Sequence, residues 1–305
     1  KRYYPYICRH FEFMSSMAVD NIVDYGIGDW CAPFEGPALA VNMGSFRSPV
    51  ALTDTACYYR SACILSKMSR ILGYEDPYRV KSEEIKEALL NKFVDPETGE
   101  VAGDCQTSDG CVAFHHLLDP EVERRLMERL AERIKENGWH IDYGILGSKY
   151  VLNMLGEYGR TDVIYKMLTR KDYPGYLYWV ENGCTTLAEC WNLGGSHNHY
   201  MFSDVSAVFY RYFAGIRPCQ DEAAWRRFIL APALHLDIKT LSCSVESPHG
   251  KIAASWKKEG ETVTFTAEIP FGTTARLCLP DEVCADENGK LLESGRHEFC
   301  WKLKK

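Results

Sequence analysis

DPEVERRLMERLAERIKENG, residues 119–138, decides the fold class of the first part of the chain. Val122, Leu126, Leu130 and Ile134 recur every four residues, which places them on one face of an α-helix and predicts that this face is buried. Asp119 suits the N-cap, Pro120 the first helical position, and Glu121 and Glu123 the positive end of the helix dipole. Asn137-Gly138 supplies a stop. Working outward, Ser82–Phe93 repeats the pattern with Ile85, Leu89 and Phe93, and Pro49–Leu72 runs as a long helix to Gly73. Further helical spacing falls at 3–19, 109–117, 145–158, 161–169 and 199–214, with short Gly-rich loops between many of these segments. DYGI occurs twice, at Asp24–Ile27 and Asp142–Ile145, each time in a loop after a helix, which hints at a repeated helical hairpin.

The period changes after Pro218. Val263, Phe265, Ala267 and Ile269 alternate with Thr264, Thr266 and Glu268, the signature of a half-buried strand. KKEGE at 257–261 reads as a hairpin turn. Other strand candidates are 239–247, 250–256, 273–279 and 297–303, with Trp225–Leu236 as the passage between the two parts. The fold class is therefore mainly α with a smaller all-β domain. A helical domain over 1–217 precedes an antiparallel β domain over 218–305.

Composition removes several functions. Lys and Arg total 35 against 42 Asp and Glu, a net charge of −7, so a basic surface for nucleic acid is not expected. No apolar run reaches the roughly 20 residues of a membrane helix. The 13 cysteines include no C-x-x-C and no zinc-type Cys/His spacing, and read as unpaired, mostly buried thiols of a reducing, cytoplasmic compartment. No nucleotide, zinc-protease or serine-hydrolase motif occurs. What remains is an aromatic excess, with 18 Tyr, 13 Phe and 7 Trp, much of it in loops with acids and histidines.

Four loops carry that chemistry. GCTTLAECWNLGGSHNHYMF, residues 183–202, sets Glu189 near Trp191, with His197 and His199 after a Gly-Gly break. An indole packs on the apolar face of a pyranose and a carboxylate moves a proton, so the pairing fits a sugar site. The plainer alternative is a buried Glu bonded to loop amides. DYGIGDWCAPFEG, residues 24–36, repeats the pairing in Asp29 and Trp30, with Gly26 and Gly28 allowing close approach or positive φ. Here the alternative is Asp29 as a cap and Trp30 as core. NGWHIDYGILGS, residues 137–148, carries Trp139, His140 and Asp142, and otherwise reads as a helix-ending loop. GDCQTSDG, residues 103–110, offers Asp104, Gln106 and Thr107 either to hydroxyls or to the next helix as caps. His197 and His199 lack a third ligand nearby, so no metal site is expected. In a toroid of helical hairpins the loops at one end converge on one cleft, and these four together suit a neutral carbohydrate.

At this point the chain resembles the bacterial α-L-rhamnosidases, glycoside hydrolase family 78. The matching stretches run in order: DYGIGDWCAP, DCQT, NGWHIDYGILGSKY, DYPGYLYWVENGCTTLAECWN, SHNHYMFSDVSAVFYRYFAGI, RRFILAPAL and SVESPHGKIAASW. TT-x-x-E-x-W followed by NHY is the most specific of them. The resemblance implies an (α/α)6 six-hairpin toroid followed by an antiparallel β-sandwich, and hydrolysis of terminal α-L-rhamnosyl groups with inversion, without a cofactor. The expected partner is a rhamnose-containing glycoside, not nucleic acid or membrane. By motif, Glu189 resembles the general base, Trp30, Trp139 and Trp191 the pocket walls, and His199 a contact to sugar hydroxyls, with Asp29 and His140 as further substrate contacts.

Two departures go with the resemblance. The family usually has a Trp directly before the base, where this chain has Ala188. The family's general acid lies in a D-x-x-x-x-E-x-x-G-W-x-G-D stretch upstream of the GDW loop, and the acids before Asp29 here are Glu12, Asp20 and Asp24, none in that setting. With about eight helices read against the toroid's twelve, the expectation is a chain that begins within the barrel. It would take its acid from sequence before Lys1 and hydrolyse little by itself.

Overall fold

The computed structural model describes residues 1–34, 47–219 and 222–304, with the side chain of Cys284 excepted. The chain forms two compact units: Lys1–Tyr158 with Lys166–Phe202, and Gly159–Tyr165 with Ser203–Lys305. The boundary expected at 217/218 falls inside the second unit, within a strand over Ile216–Pro218.

The helices are α1 (Tyr4–Met17), α2 (Val50–Leu72), α3 (Tyr78–Phe93), α4 (Gln106–Phe114), α5 (Pro120–Glu136), α6 (Ile145–Glu157), α7 (Thr161–Leu168), α8 (Tyr176–Glu181) and α9 (Asp204–Val208). In the first unit α1 packs on α2, α2 on α3, and α4 on both α5 and α6. Phe11 and Met14 of α1 meet Tyr58 and Leu65 of α2 and Ile85 of α3 in one core cluster. Leu52, Leu89, Val112, Leu126 and Tyr150 form another. The stripe read in α5 is buried at Leu126, Leu130 and Ile134. Asp119 holds the N-cap position, but its side chain makes no capping hydrogen bond. Glu123 instead turns inward to the His116 ring and the Tyr158 hydroxyl. The segment read as helix 199–214 starts later: α9 begins at Asp204 and passes into a π-helical turn over Phe209–Phe213.

The second unit holds nine strands among the described residues: β1 (Ile216–Pro218), β2 (Arg227–Leu230), β3 (Thr240–Ser247), β4 (Gly250–Glu259), β5 (Thr262–Ile269), β6 (Thr274–Leu277), β7 (Val283–Cys284), β8 (Leu291–Leu292) and β9 (Gly295–Leu303). One sheet has the order β3-β4-β5-β9-β7 and is antiparallel throughout. The other runs β1-β2-β6-β8 and is antiparallel except for the parallel β2–β6 pair. Val263, Phe265, Ala267 and Ile269 share one core with Phe228 and Leu230 of the other sheet, so the alternation in the sequence is the inner face of a sandwich. The β4–β5 turn bends at Gly260, φ +62°. No helix among the described residues is long and apolar enough to cross a membrane.

Candidate active site

Asp29 is the point at which three of the four loops meet. Its side chain is inaccessible to solvent. Oδ1 accepts the amide N–H groups of Leu146 (2.8 Å) and Gly147 (2.9 Å), and Oδ2 accepts Gly144 N–H (2.8 Å) and the Thr107 hydroxyl. The Trp30 carbonyl accepts Ile145 N–H at 2.8 Å. These amides open α6, where a helix leaves N–H groups unsatisfied and favours a negative charge. Asp29 therefore caps a helix 115 residues further along the chain. Burial pushes its carboxyl up, while the four donors pull it down.

The glycines of DYGILG make the approach possible. A Cβ on Gly144 would stand 2.2 Å from the Trp30 carbonyl oxygen, and one on Gly147 2.1 Å from the Thr107 hydroxyl oxygen. Asp54 of α2 seats the first DYGI in a related way: it accepts Gly26 N–H at 2.6 Å, and a Cβ on Gly26 would run into its carboxylate. Residues 35 and 36, the end of this loop as read from the sequence, lie outside the described residues.

The expectation that Asp29 contacts substrate is thus corrected, because both its oxygens are engaged by the protein in a dry site. Thr107 and Gln106 are likewise structural. The Gln106 side-chain amide donates to the His140 carbonyl (2.8 Å), and its backbone N–H donates to Asp142 Oδ1 (3.1 Å). Asp104 is exposed and pairs with Arg133 at 2.9 Å. Asp109 meets the same guanidinium at 2.8 Å, yet burial outweighs that attraction and pushes its carboxyl to about 7. Burial also lifts Asp142 to about 6.

A carboxyl raised on folding from 3.8 to about 7 holds its proton more tightly in the folded state. Its stabilisation is complete below pH 3.8 and is lost as pH rises through 7. Unfolding free energies from urea titrations between pH 5 and pH 8 should therefore fall more steeply for the native protein than for Asp109→Asn, by up to about 1.4 kcal/mol per pH unit. Equal slopes would contradict this reading of Asp109.

Glu189 lies in the fourth loop, its side chain 21% exposed. Its N–H donates to the Ser196 carbonyl (2.8 Å), and Ser196 N–H donates back to Oε2 (2.8 Å). His199 Nδ1 stands 3.5 Å from the same oxygen, and His199 N–H is fixed to the Leu187 carbonyl (2.9 Å). Gly195 turns the chain at φ +75°, and a Cβ there would lie 2.5 Å from Glu189 Oε2. Gly195→Ala should add about 1–2 kcal/mol of left-handed strain and displace the carboxylate. We expect roughly tenfold slower turnover in the complete enzyme, and an unchanged rate would show that Oε2 tolerates the shift.

Trp191 points the other way. It is 1% exposed, stacked on Trp179 at 4.6 Å and 17°, and packed on Phe202 and Tyr176. Its Nε1–H donates to the Tyr143 carbonyl at 2.9 Å. The expectation of Trp191 as a pocket wall is corrected: in this chain it belongs to an aromatic core that anchors the Glu189 loop. Ala188 is also fully buried. Trp30 and Trp139 are half-buried, Trp139 with φ +67°. His140 is held by the Asn137 carbonyl at Nδ1 (2.8 Å) and faces Asp172 (3.1 Å) and Arg170 (3.2 Å) at Nε2. Asp172, brought to about 2 chiefly by Arg170, is not among the residues singled out in the sequence, although it opens the quoted DYPGYLYW stretch, and Asp54 lies inside α2, where its side chain reads as one more helix position. No cluster of three His, Cys, Asp or Glu able to hold a metal occurs among the described residues.

Three of the loops are thus joined through buried Asp29, and the fourth carries a part-exposed carboxylate with one oxygen held by an amide. Residues 1–213 match the family model of the bacterial α-L-rhamnosidase six-hairpin glycosidase domain, and residues 215–291 that of the bacterial α-L-rhamnosidase C-terminal domain. The chain belongs to the bacterial α-L-rhamnosidase family. It is 26% identical to an α-L-rhamnosidase of Alteromonas sp. (strain LOR) over 97% of its own length and 35% of that protein. It is 28% identical to one of Formosa agariphila over 91% of its length and 30% of that protein. The α-L-rhamnosidase of Dictyoglumus thermophilum superposes with a TM-score of 0.85 at 27% identity, covering 99% of this chain and 37% of that one. The Streptomyces avermitilis enzyme, complexed with L-rhamnose, has a TM-score of 0.83 at 24% identity over 97% of this chain and 30% of that one, a likeness of fold. The chain spans about a third of the length of these curated relatives.

Proposed function

We propose that this chain carries the base-bearing part of an α-L-rhamnosidase that releases terminal α-L-rhamnosyl groups with inversion. The observation that carries the reading is Glu189: a part-exposed carboxylate whose Oε2 is held by an amide donor at 2.8 Å, with a histidine beside it. In this reading Glu189 takes a proton from the attacking water. An acid outside this chain, its carboxyl roughly 6.5–9.5 Å from that of Glu189 to leave room for the water, protonates the leaving oxygen. His199 orients the sugar hydroxyls, and Trp30, Trp139 and His140 border the cleft. The names of the similar proteins and the TT-x-x-E-x-W…NHY run support the substrate class. Proton NMR of the complete enzyme acting on p-nitrophenyl α-L-rhamnoside should show β-L-rhamnose as the first-formed anomer. A first-formed α anomer would replace inversion with retention, and no hydrolysis would remove the substrate assignment.

A further inference from the structure

Cys31 follows Trp30 in the chain and Cys190 follows Glu189, and their sulfurs lie 3.7 Å apart. Both side chains are buried, each 5% exposed. The two residues are 159 positions apart, so the tertiary fold and not a local turn brings them together. Each backbone is pinned one residue from the thiol. On one side, the Trp30 carbonyl accepts Ile145 N–H. On the other, Glu189 N–H donates to the Ser196 carbonyl and the Trp191 indole to the Tyr143 carbonyl. Cys31 itself is held at φ +60°, a conformation that a residue with a Cβ keeps only when its surroundings impose it.

The two thiols are chemically unequal. The hydrogen bond between them pulls the Cys190 thiol below its ordinary range and pushes Cys31 above it. Either sulfur can donate to the other, and the lowered Cys190 thiol is the better attacking group, with Cys31 as its resolving partner. Other buried thiols lack this assistance: burial pushes Cys105 to about 11 and Cys111 well up.

We propose that Cys31 and Cys190 form a redox modification site, at which a peroxide converts the thiol pair into an intramolecular disulfide that joins the Trp30 loop to the Glu189 loop. The Cys190 thiolate attacks one peroxide oxygen, the O–O bond breaks, and the departing hydroxide takes up a proton to leave as water. Cys31, deprotonated, then attacks the Cys190 sulfenic sulfur, and a second water departs as the S–S bond forms. Two electrons pass from the thiols to the peroxide, and a dithiol reductant returns them. The sulfurs close by roughly 1.6 Å to reach a bond length of about 2.05 Å.

The test is peptide mapping of the complete, natively folded polypeptide after treatment with one equivalent of hydrogen peroxide. Remaining thiols are capped with iodoacetamide before a non-reducing digest. The expected product is a cross-linked peptide joining Cys31 to Cys190, lost on dithiothreitol treatment and absent from Cys31→Ser. The same oxidation in urea should scatter the pairings, which shows that the native fold selects this pair. Recovery of Cys31 and Cys190 both alkylated, while exposed Cys300 is oxidised, would overturn the proposal. Recovery of Cys190 only as sulfinic acid would do so too. The readout is chemical and does not depend on whether the protein hydrolyses rhamnosides.

Discussion

Asp29→Ala should cost the first unit on the order of 4–5 kcal/mol, enough to take a domain of ordinary stability close to unfolding. The substitution leaves the amides of Gly144, Leu146 and Gly147 and the Thr107 hydroxyl without their acceptor in a site closed to water. Each buried donor left unpaired costs about 1–3 kcal/mol. Asp29→Asn should be severe as well, because its NH2 group would face donors at one of the two oxygen positions. Far-ultraviolet circular dichroism through a urea titration reads the effect. An unfolding free energy within about 0.5 kcal/mol of the native protein's would return Asp29 to the role of a substrate contact.

Glu189→Gln should lower kcat of the complete enzyme on p-nitrophenyl α-L-rhamnoside by about 10²–10⁴, with the urea midpoint unchanged. Gln fills the same volume, and its amide oxygen still accepts Ser196 N–H, so loop and fold persist while the capacity to take a proton from water is lost. The contrast with Asp29 separates two carboxylates that look alike in the sequence: one moves stability, the other turnover. A variant that keeps most of the parent's rate would place the base elsewhere.

That contrast also shows what the sequence made legible. Helix α5 and strand β5 were readable because burial on one face imposes a period of 3.6 or 2 on the residues themselves. Helix α8 was not, since six residues reading YLYWVE are too few to show a period. Helix α3 starts at Tyr78, earlier than its apolar spacing suggested. Helix α6 starts where it does because of a cap supplied from Asp29, which no local window contains. The meeting of the loops followed from reading the helices as hairpins of one toroid, whereas the inner direction of Trp191 did not. Glu189 and Trp191 are two positions apart, and the chain turns over Cys190–Leu193, with the carboxylate bonded to Ser196 N–H and the indole in the Trp179 stack. Nearness in sequence was read as nearness in a pocket, and the turn geometry undid it.

The cap on α6 has a bearing on how the protein reaches its native state. Joining Asp29 to Gly144 directly in an unfolded chain closes a loop of 115 residues, at an entropic cost of roughly 4 kcal/mol from length alone. That cost falls once the intervening helices have packed and shortened the path between the two ends. The junction is then among the last contacts to form, and the loops that it positions have no defined arrangement before it does. A folding defect anywhere from α2 to α5 would therefore appear first as loss of the site, with most of the helix content still in place.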